Sequence, residues 1–395
     1  MRIGIPLVLA LLSLMFALVS MDHSNAAELP LNPPPADDGV SELTEDSAIH
    51  CPIVPESDEG LLETLAFSNR GKFIAASNFR GVVKVFDGRS GRQLVSFRPR
   101  GEHGVVNSAP VAFAPDGKSF AAPLASGQLA LFDPMSGRIL RSMDPAPLAP
   151  AKSVHYEWAI AVSPDGKTLA GSYDTGEVVL WDVPSGRRRH FLPPHILPAS
   201  GVPPASPTNP VYPARPAVVT ALAFSPDGAT LYTAGRVLQV WDLAGTPRLR
   251  RFDLPEEAFC SHVVAAPEGA TVAAVVGVTP NKVTASYSII LFDATSGKKK
   301  AEIPLKAEAQ GLGFLPGGRV LVSLEEYREI RLWDGTTTKE IAARRFDKHF
   351  RLGALAVSPD GHRIAACGQG SAGIFGVIGM IETDGTKLTP WRPAP

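Results

Sequence analysis

The chain has 395 residues, with 38 Lys and Arg against 39 Asp and Glu, so its net charge at pH 7 is −1. Hydrophobic residues make up 45% of the sequence, a proportion typical of globular proteins. The near-neutral charge argues against a nucleic-acid-binding protein, whose affinity depends on clustered Lys and Arg.

Residues 1–27 have the pattern of an export signal. Arg2 supplies the positive start, residues 7–19 are apolar except for Ser13, and residues 24–26 offer the small side chains that a signal peptidase recognises. The alternative is an uncleaved anchor, because residues 3–21 are just long enough to span a bilayer. We predict an exported protein, periplasmic or extracellular, with no membrane span left after the signal is cleaved.

Residues 28–60 are acidic and Pro-rich, and no Lys or Arg occurs between Arg2 and Arg70. Such a composition predicts a mostly disordered linker. Within it, residues 49–54 could add one strand to the first or last repeat of the segment that follows.

From residue 61 onward the chain repeats a pattern of short apolar strands joined by tight turns. In the clearest copy, residues 163–166 form a turn, because Pro164 presets φ and Gly166 accepts a positive φ. Two stretches of β-forming residues follow, 168–172 and 177–181, separated by a second turn. With one apolar stretch before them and another after, the copy contains four antiparallel strands.

Both the first turn and the end of the third strand recur seven times in register. The third strand closes on an apolar residue and an acid at Phe86-Asp87, Phe132-Asp133, Trp181-Asp182, Trp241-Asp242, Phe292-Asp293, Trp333-Asp334 and, more weakly, Ile381-Glu382. The first turn recurs at Asn69-Arg70-Gly71, Pro115-Asp116-Gly117, Pro164-Asp165-Gly166, Pro226-Asp227-Gly228, Pro267-Glu268-Gly269, Pro316-Gly317-Gly318 and Pro359-Asp360-Gly361.

In these turns and closing pairs the chain resembles the WD-repeat family, whose units are four-stranded propeller blades. The resemblance covers roughly residues 61–391 and suggests a bacterial-type exported member. It implies an all-β, seven-bladed β-propeller of four-stranded antiparallel blades over residues 61–395. Trp181, Trp241 and Trp333 would then occupy equivalent places between neighbouring blades.

The chain departs from the family's pattern in its polar residues. The Gly-His pair before the innermost strand is absent in register from most repeats, so the family's His–Ser/Thr–Asp–Trp hydrogen-bond set is at most partial. In the third repeat Ser172, Asp174 and Trp181 match three of its members. A quinoprotein-type propeller is the nearest rival, but no repeat has the Trp that such proteins carry soon after the Gly of the last turn.

Three insertions lengthen the connections, at residues 193–216, 278–286 and 369–376, and the first is rich in prolines that forbid regular strands. By resemblance to the family, all three emerge on the top face of the propeller, which the family uses for binding.

The predicted outer strands are basic. They carry Arg187, Arg188, Arg189, Arg248, Arg250, Arg251, Lys298, Lys299, Lys300, Arg344 and Arg345. One interpretation is edge protection, because Lys and Arg discourage edge-to-edge pairing of strands. The other is a basic rim for an anionic partner, such as an envelope polymer, or for the chain's own acidic tail.

The three cysteines cannot all pair with one another. Cys260 and Cys367 lie in strand-like stretches of different repeats, and we expect them to be buried thiols. A disulfide from Cys51 to another blade stays open, since export would permit it.

No catalytic motif emerges from the sequence, and we predict no catalytic residues, no cofactor and no metal. His103, His155, His262 and His349 each fall near the start of an inner strand. Four histidines around the mouth of a central channel could hold a metal, but they are equally well explained as unrelated polar residues of loops.

We therefore predict a binding or scaffolding propeller that holds a protein or peptide partner on its top face. The candidate contacts are large or charged residues at inner-strand starts and top loops: His155, Tyr156, Trp158, Tyr212, Arg215, Tyr327, Arg328, His349 and Arg351. Trp158 is also consistent with a core position. The alternative function is a propeller enzyme, of lactonase or oxidoreductase type, with its site at the channel mouth.

The export signal gives a first testable prediction. The mature protein should begin near Ala27 and be released in soluble form, as N-terminal sequencing after expression in an exporting host would measure. Recovery of Met1 from a membrane fraction would contradict it.

Overall fold

Antiparallel β-strands account for most of the described residues. The computed structural model describes residues 41–43, 48–50, 62–78, 81–99, 110–124, 127–146, 157–173, 176–193, 218–252, 254–255, 258–278, 285–346, 348, 350–369 and 375–391. The predicted signal and nearly all of the 193–216 loop lie outside these residues.

The strands form seven sheets, which are the seven predicted blades. Blade 1 consists of β3 (Leu62–Phe67), β4 (Phe73–Asn78), β5 (Val83–Asp87) and β6 (Gln93–Phe97), and blade 2 of β7 (Ala112–Phe113), β8 (Phe120–Pro123), β9 (Leu129–Phe132) and β10 (Ile139–Ser142). Blade 3 consists of β11 (Glu157–Val162), β12 (Thr168–Tyr173), β13 (Val178–Asp182) and β14 (Arg188–Leu192). Blade 4 consists of β15 (Ala221–Phe224), β16 (Thr230–Ala234), β17 (Gln239–Asp242) and β18 (Arg248–Arg251). Blade 5 consists of β19 (Ala258–Ala265), β20 (Thr271–Val278), β21 (Ser286–Asp293) and β22 (Lys299–Leu305). Blade 6 consists of β23 (Ala309–Phe314), β24 (Val320–Glu325), β25 (Glu329–Asp334) and β26 (Glu340–Phe346). Blade 7 consists of β27 (Arg351–Val357), β28 (Arg363–Gln369), β29 (Phe375–Thr383) and β30 (Leu388–Pro390).

The first strands of the blades surround a common axis. Each contacts the first strand of the next blade, and β27 of blade 7 contacts β3 of blade 1, which closes the ring. The predicted all-β, seven-bladed propeller is confirmed.

Hydrogen bonds from short polar side chains fix the first turns of the repeats. In blade 3 the Ser163 hydroxyl donates to Asp165 at 2.6 Å and accepts the Thr168 N–H at 2.9 Å. Gly166 has a φ of 71°, in the left-handed region that glycine adopts without strain. The same serine–aspartate bond occurs in blades 4 and 7. The repeated Pro-Asp-Gly signal therefore marks a real, self-bonded turn.

The aspartate that ends a third strand organises the last turn of its blade. Asp182 accepts hydrogen bonds from both the backbone N–H and the hydroxyl of Ser185. Asp87, Asp133 and Asp293 make the same pair of bonds with a serine three residues later. These bonds favour the ionised carboxylate, and the Ser185 bonds lower the pKa of Asp182.

The three predicted tryptophans occupy equivalent positions. Trp181, Trp241 and Trp333 each lie opposite a leucine of the second strand of their blade. Trp181 and Trp241 are buried between neighbouring blades, whereas Trp333 is only partly buried.

The predicted polar set of the third repeat does not form as expected. Trp181 Nε1 donates to the Asp144 carbonyl at 2.8 Å, and the Ser172 hydroxyl donates to the Val219 carbonyl at 2.9 Å. Leu169 lies opposite Trp181, so Gly171, not Ser172, lies on the tryptophan's side of the blade. The assignment of Ser172 was wrong by one residue, and Asp174 lies outside the described residues. The Trp–Ser bond occurs instead in blade 6, from Trp333 Nε1 to the Ser323 hydroxyl at 2.9 Å.

Two short strands precede blade 1, within the segment predicted as a linker. β1 (Ser41–Leu43) pairs in parallel with the outer strand of blade 6, and β2 (Ala48–His50) pairs antiparallel with β29 of blade 7. The outer edge of β29 is therefore shared by β2 and β30. The single optional strand expected at residues 49–54 overlaps β2 in two residues.

Cys260 and Cys367 are buried free thiols, as predicted. Burial raises the pKa of Cys260 to about 12, which makes it an unreactive core residue. Cys51 lies outside the described residues. Across the described ranges, no helix is long and apolar enough to cross a membrane.

The matched tryptophans give a prediction about stability. Trp181→Phe and Trp241→Phe remove the same atoms from equivalent sites. Of these two tryptophans, Trp181 alone has a hydrogen-bond partner for its indole N–H among the described residues. Trp181→Phe should therefore lower the free energy of unfolding by about 1 kcal/mol more than Trp241→Phe. Urea denaturation of both variants tests this, and equal losses would contradict it.

Candidate functional site

Three of the nine predicted contacts lie together in the structure. Tyr327 and Arg328 belong to the turn between β24 and β25, and Arg351 begins β27. Trp158 lies on β11. The other five are outside the described residues: His155, Tyr156, Tyr212, Arg215 and His349.

The antiparallel order of the strands places these three residues on one face of the propeller. The turns between second and third strands lie at the same end of the blades as the starts of the first strands. We call this end the top face, and the other two kinds of turn lie on the bottom face.

The turn that carries Tyr327 is strained. Glu326 and Tyr327 have φ values of 49° and 60°, and the Arg328 N–H closes the turn on the Glu325 carbonyl at 3.0 Å. Two successive left-handed residues suit Asn-Gly or Gly-Gly, and each costs a residue with a β-carbon roughly 1–2 kcal/mol. Backbone strain of this kind clusters at functional sites, where the surrounding structure enforces it.

Hydrogen bonds from two blades hold the strained turn in place. The Tyr327 N–H donates to the Gln310 side chain at 2.9 Å, and its carbonyl accepts the Leu352 N–H at 2.6 Å. Gln310 lies on the first strand of blade 6 and Leu352 on that of blade 7. The turn is thus fixed at the junction of two blades.

Arg351 packs against the ring of Tyr327. The guanidinium carbon lies 4.3 Å from the ring centroid, within the range of a cation–π interaction. Both side chains are half-buried. The stack orders two long side chains at the top face before any partner arrives, which reduces the entropy cost of binding.

Sequence reasoning missed the neighbouring aromatic pair. Phe259 and Tyr287 of blade 5 meet edge to face, with ring centroids 6.3 Å apart. Burial raises the pKa of Tyr287, with smaller contributions from Glu308 and Tyr327. Phe259 and Gln310 lie near inner-strand starts, and that position could have identified them as candidate contacts. Their residue types concealed them, because a phenylalanine suggests a core residue and a glutamine suggests a loop residue.

A β-bulge recurs near the start of the first strand. Register shifts occur there in blades 1, 3, 5, 6 and 7, at equivalent places. The extra residues include Glu63, Ser261, Gln310 and Gly353. A β-carbon added at Gly353 would meet no atom within 4 Å. Bulges re-aim side chains, and three of these extra residues, Glu63, Ser261 and Gln310, are polar.

Burial raises the pKa of two carboxyl groups near the starts of first strands. Glu63 has its pKa raised to about 7 by burial, and the pKa of Glu308 is also raised by burial, partly offset by a bond to Ser261. A carboxyl with a pKa near 7 changes its charge at physiological pH.

The histidine hypothesis can be followed for one residue. His262 Nδ1 lies 3.2 Å from the Ser261 hydroxyl, and burial lowers its pKa to about 4 despite a hydrogen bond to the Gln310 backbone. His103, His155 and His349 lie outside the described residues. In the part of the chain that the structure covers, no three His, Cys, Asp or Glu residues are grouped so as to hold a metal ion.

The basic outer strands divide into two groups. On blades 3 to 5 the predicted rim residues are exposed, from Arg187 to Lys300. On blade 6, Arg344 donates to the Leu388 carbonyl at 3.0 Å, and Arg345 pairs with the buried Glu329 at 3.1 Å. These two arginines bond within blades 6 and 7, and β1 of the acidic N-terminal segment pairs with their strand. On blade 6 the basic outer strand is therefore covered by the chain's own acidic tail, one of the predicted alternatives.

Comparison with known families gives one finding. The model described as "WD domain, G-beta repeat" matches residues 211–242, which end with the third strand of blade 4. No curated protein matches the sequence.

Glu63 gives a prediction about pH. The folded state retains a proton up to about pH 7, whereas the unfolded chain loses it near pH 4.5. The contribution of Glu63 to the free energy of unfolding is fully present below pH 4.5, the pKa in the unfolded chain. It is lost as the pH rises through 7, which lowers the free energy of unfolding by roughly 2–3 kcal/mol. Glu63→Gln should therefore be more stable than wild type at about pH 8 and nearly equal to it at about pH 4.

Urea denaturation across that pH range measures the difference, with Glu382→Gln, at an exposed strand position, as the control. A Glu63→Gln curve parallel to wild type at every pH would contradict the prediction.

Proposed function

The chain is a WD-repeat protein with a seven-bladed β-propeller fold, and on that premise we propose that it is a binding or scaffolding module for a protein or peptide partner. WD-repeat propellers commonly serve in protein interaction. The partner binds the top face at blades 5 to 7, where Tyr327 and Arg351 form the centre of the contact surface.

The strained turn at Tyr327 is the observation that carries this proposal. A left-handed Tyr at the tip of a tight turn is costly for folding, and its ring packs on Arg351 instead of entering the core. Tyr and Arg are also the residue types most enriched at binding hot spots. Arg328 lies on the same turn, and Phe259 and Tyr287 of the neighbouring blade 5 supply further aromatic area.

We further propose that the protein acts outside the cytoplasm. Support comes from residues 1–27, whose positive start, apolar stretch and small residues match an export signal. An anionic envelope polymer on the exposed basic strands of blades 3 and 5 is a second partner consistent with their charge.

The prediction uses a substitution that separates binding from folding. Tyr327→Gly removes the aromatic ring and relieves the positive φ, so the melting temperature should stay equal or rise. Capture of the partner from an envelope extract by the immobilised full chain should fall by about tenfold or more.

Arg138→Ala, at an exposed position on the bottom face of blade 2, is the matched control and should capture the partner as wild type does. Undiminished capture by a folded Tyr327→Gly variant would overturn the proposal.

A further inference from the structure

The outer strand of blade 4 is an open edge. The outer strand of blade 2, β10, is also exposed throughout, but its pairing with β9 is interrupted by a register shift. β18 has the sequence Arg-Leu-Arg-Arg, and all four residues are exposed. Leu249 is 42% exposed, one of five large hydrophobic residues that are exposed in the described chain. An edge of this kind is an available template for another strand.

The other outer strands carry features that blunt or cover them. Blades 1, 2, 3, 5 and 6 have a register shift in their third and fourth strands. Blade 5 also has Pro304 in its outer strand, and in blade 3 the Arg188 N–H donates to Asp144 at 3.1 Å. The edges of blades 6 and 7 are paired with β1 and β2. Blade 4 pairs in unbroken register and, among described residues, ends at its fourth strand.

The hydrogen-bond pattern shows which backbone groups face outward. The Phe252 N–H donates to the Leu238 carbonyl at 3.2 Å, just beyond the end of the β17–β18 ladder. Antiparallel pairs alternate between bonded and non-bonded positions. Arg250 and Arg248 therefore face β17, and the N–H and C=O of Leu249 point away from the sheet.

Blade 6 shows how the chain covers a basic edge. Ser41, Glu42 and Leu43 run parallel to Arg344, Arg345 and Phe346, with Glu42 opposite Arg345. β1, which contains an acidic and an apolar residue, thus becomes the fifth strand of blade 6. The strand that it pairs with, β26, contains two arginines and an apolar residue at the paired positions. Blade 4 presents the same composition without such a strand among the described residues.

We propose that the outer edge of blade 4 binds an extended acidic segment of a partner protein as a fifth β-strand. The backbone groups of Leu249 bond the incoming strand, its side chain contacts an apolar residue, and Arg248 and Arg250 attract the carboxylates. The Arg250 guanidinium also donates to the Thr295 carbonyl of blade 5 at 2.7 Å, a single bond that leaves its positive charge and further N–H donors for the partner. The same arginines repel basic strands, including the edges of other copies of the chain, so the edge is selective as well as open.

An acidic peptide explains the edge better than a polymer does. A polysaccharide would use the arginines but would gain nothing from the exposed Leu249 or from its outward backbone groups. Strand addition uses all three features, and backbone bonds supply most of its affinity.

The experiment uses the full chain and a fluorescent peptide with the sequence of residues 38–47, which includes the acidic strand seen on blade 6. Fluorescence anisotropy should detect binding that weakens with salt. Leu249→Pro removes the outward N–H together with the exposed leucine side chain. It breaks no bond to β17, because that N–H points away from the sheet, and it should weaken binding by about tenfold or more. Arg248→Gln with Arg250→Gln should weaken binding and flatten its salt dependence.

Lys298→Gln with Lys300→Gln, on the Pro-containing blade 5, is the matched control and should bind as wild type does. A peptide with its acids changed to amides should bind at least tenfold more weakly. If Leu249→Pro does not fold, the double arginine variant still decides the question.

Unchanged peptide affinity in that double variant, or in a folded Leu249→Pro, would overturn the proposal. Absence of peptide binding would also overturn it, as would binding of heparin instead of the peptide, which would assign the edge to an anionic polymer. The top-face variant Tyr327→Gly should leave peptide affinity unchanged, so failure here is distinguishable from failure of the proposed function.

Discussion

Burial on both faces of the middle strands is the constraint on which the structure depends. β4, β8 and β9 are buried along their whole length, and their side chains alternate between the two neighbouring blades. Neither face meets water, so these strands are almost entirely apolar, apart from Ser77 and Asn78 at the end of β4. Polar side chains are thereby concentrated at the ends of the blades and along the outer edges, where both proposed binding surfaces lie.

Buried charged residues on blade 6 depart from this pattern, and each is paired with a residue of opposite charge. On blade 6, Arg331 contacts Glu325, Glu329 and Glu340, and Glu329 also pairs with Arg345. Glu325 and Glu329 are buried, so their charges require these partners. The cluster is continuous with the Glu325–Arg328 turn, and it therefore anchors the base of the strained Tyr327 loop.

The fold was predictable because its signals are local and repeated. Pro-Asp-Gly turns and closing Trp-Asp pairs depend on backbone conformation and side-chain bonds within a few residues, as Ser163 and Asp182 show. The candidate site was predictable only in part. Inner-strand starts and top loops gave Arg351 and Tyr327 as candidate contacts, but a single-residue register difference moved Ser172 to the opposite face. No local pattern encodes the bond of Arg344 to Leu388 of blade 7 or the pairing of Arg345 with Glu329 on the neighbouring strand.

The pairing of β2 with β29 joins residues separated by almost the whole length of the chain. Closing so large a loop carries a high entropy cost, and folding slows as the sequence separation of contacts grows. During synthesis, blades 1 to 5 can form while β1 and β2 still lack the strands that they will cover. These two strands are synthesised before any of the blades, yet they are among the last to acquire their native neighbours. The kinetic barrier to folding should accordingly lie in ring closure rather than in the assembly of any single blade.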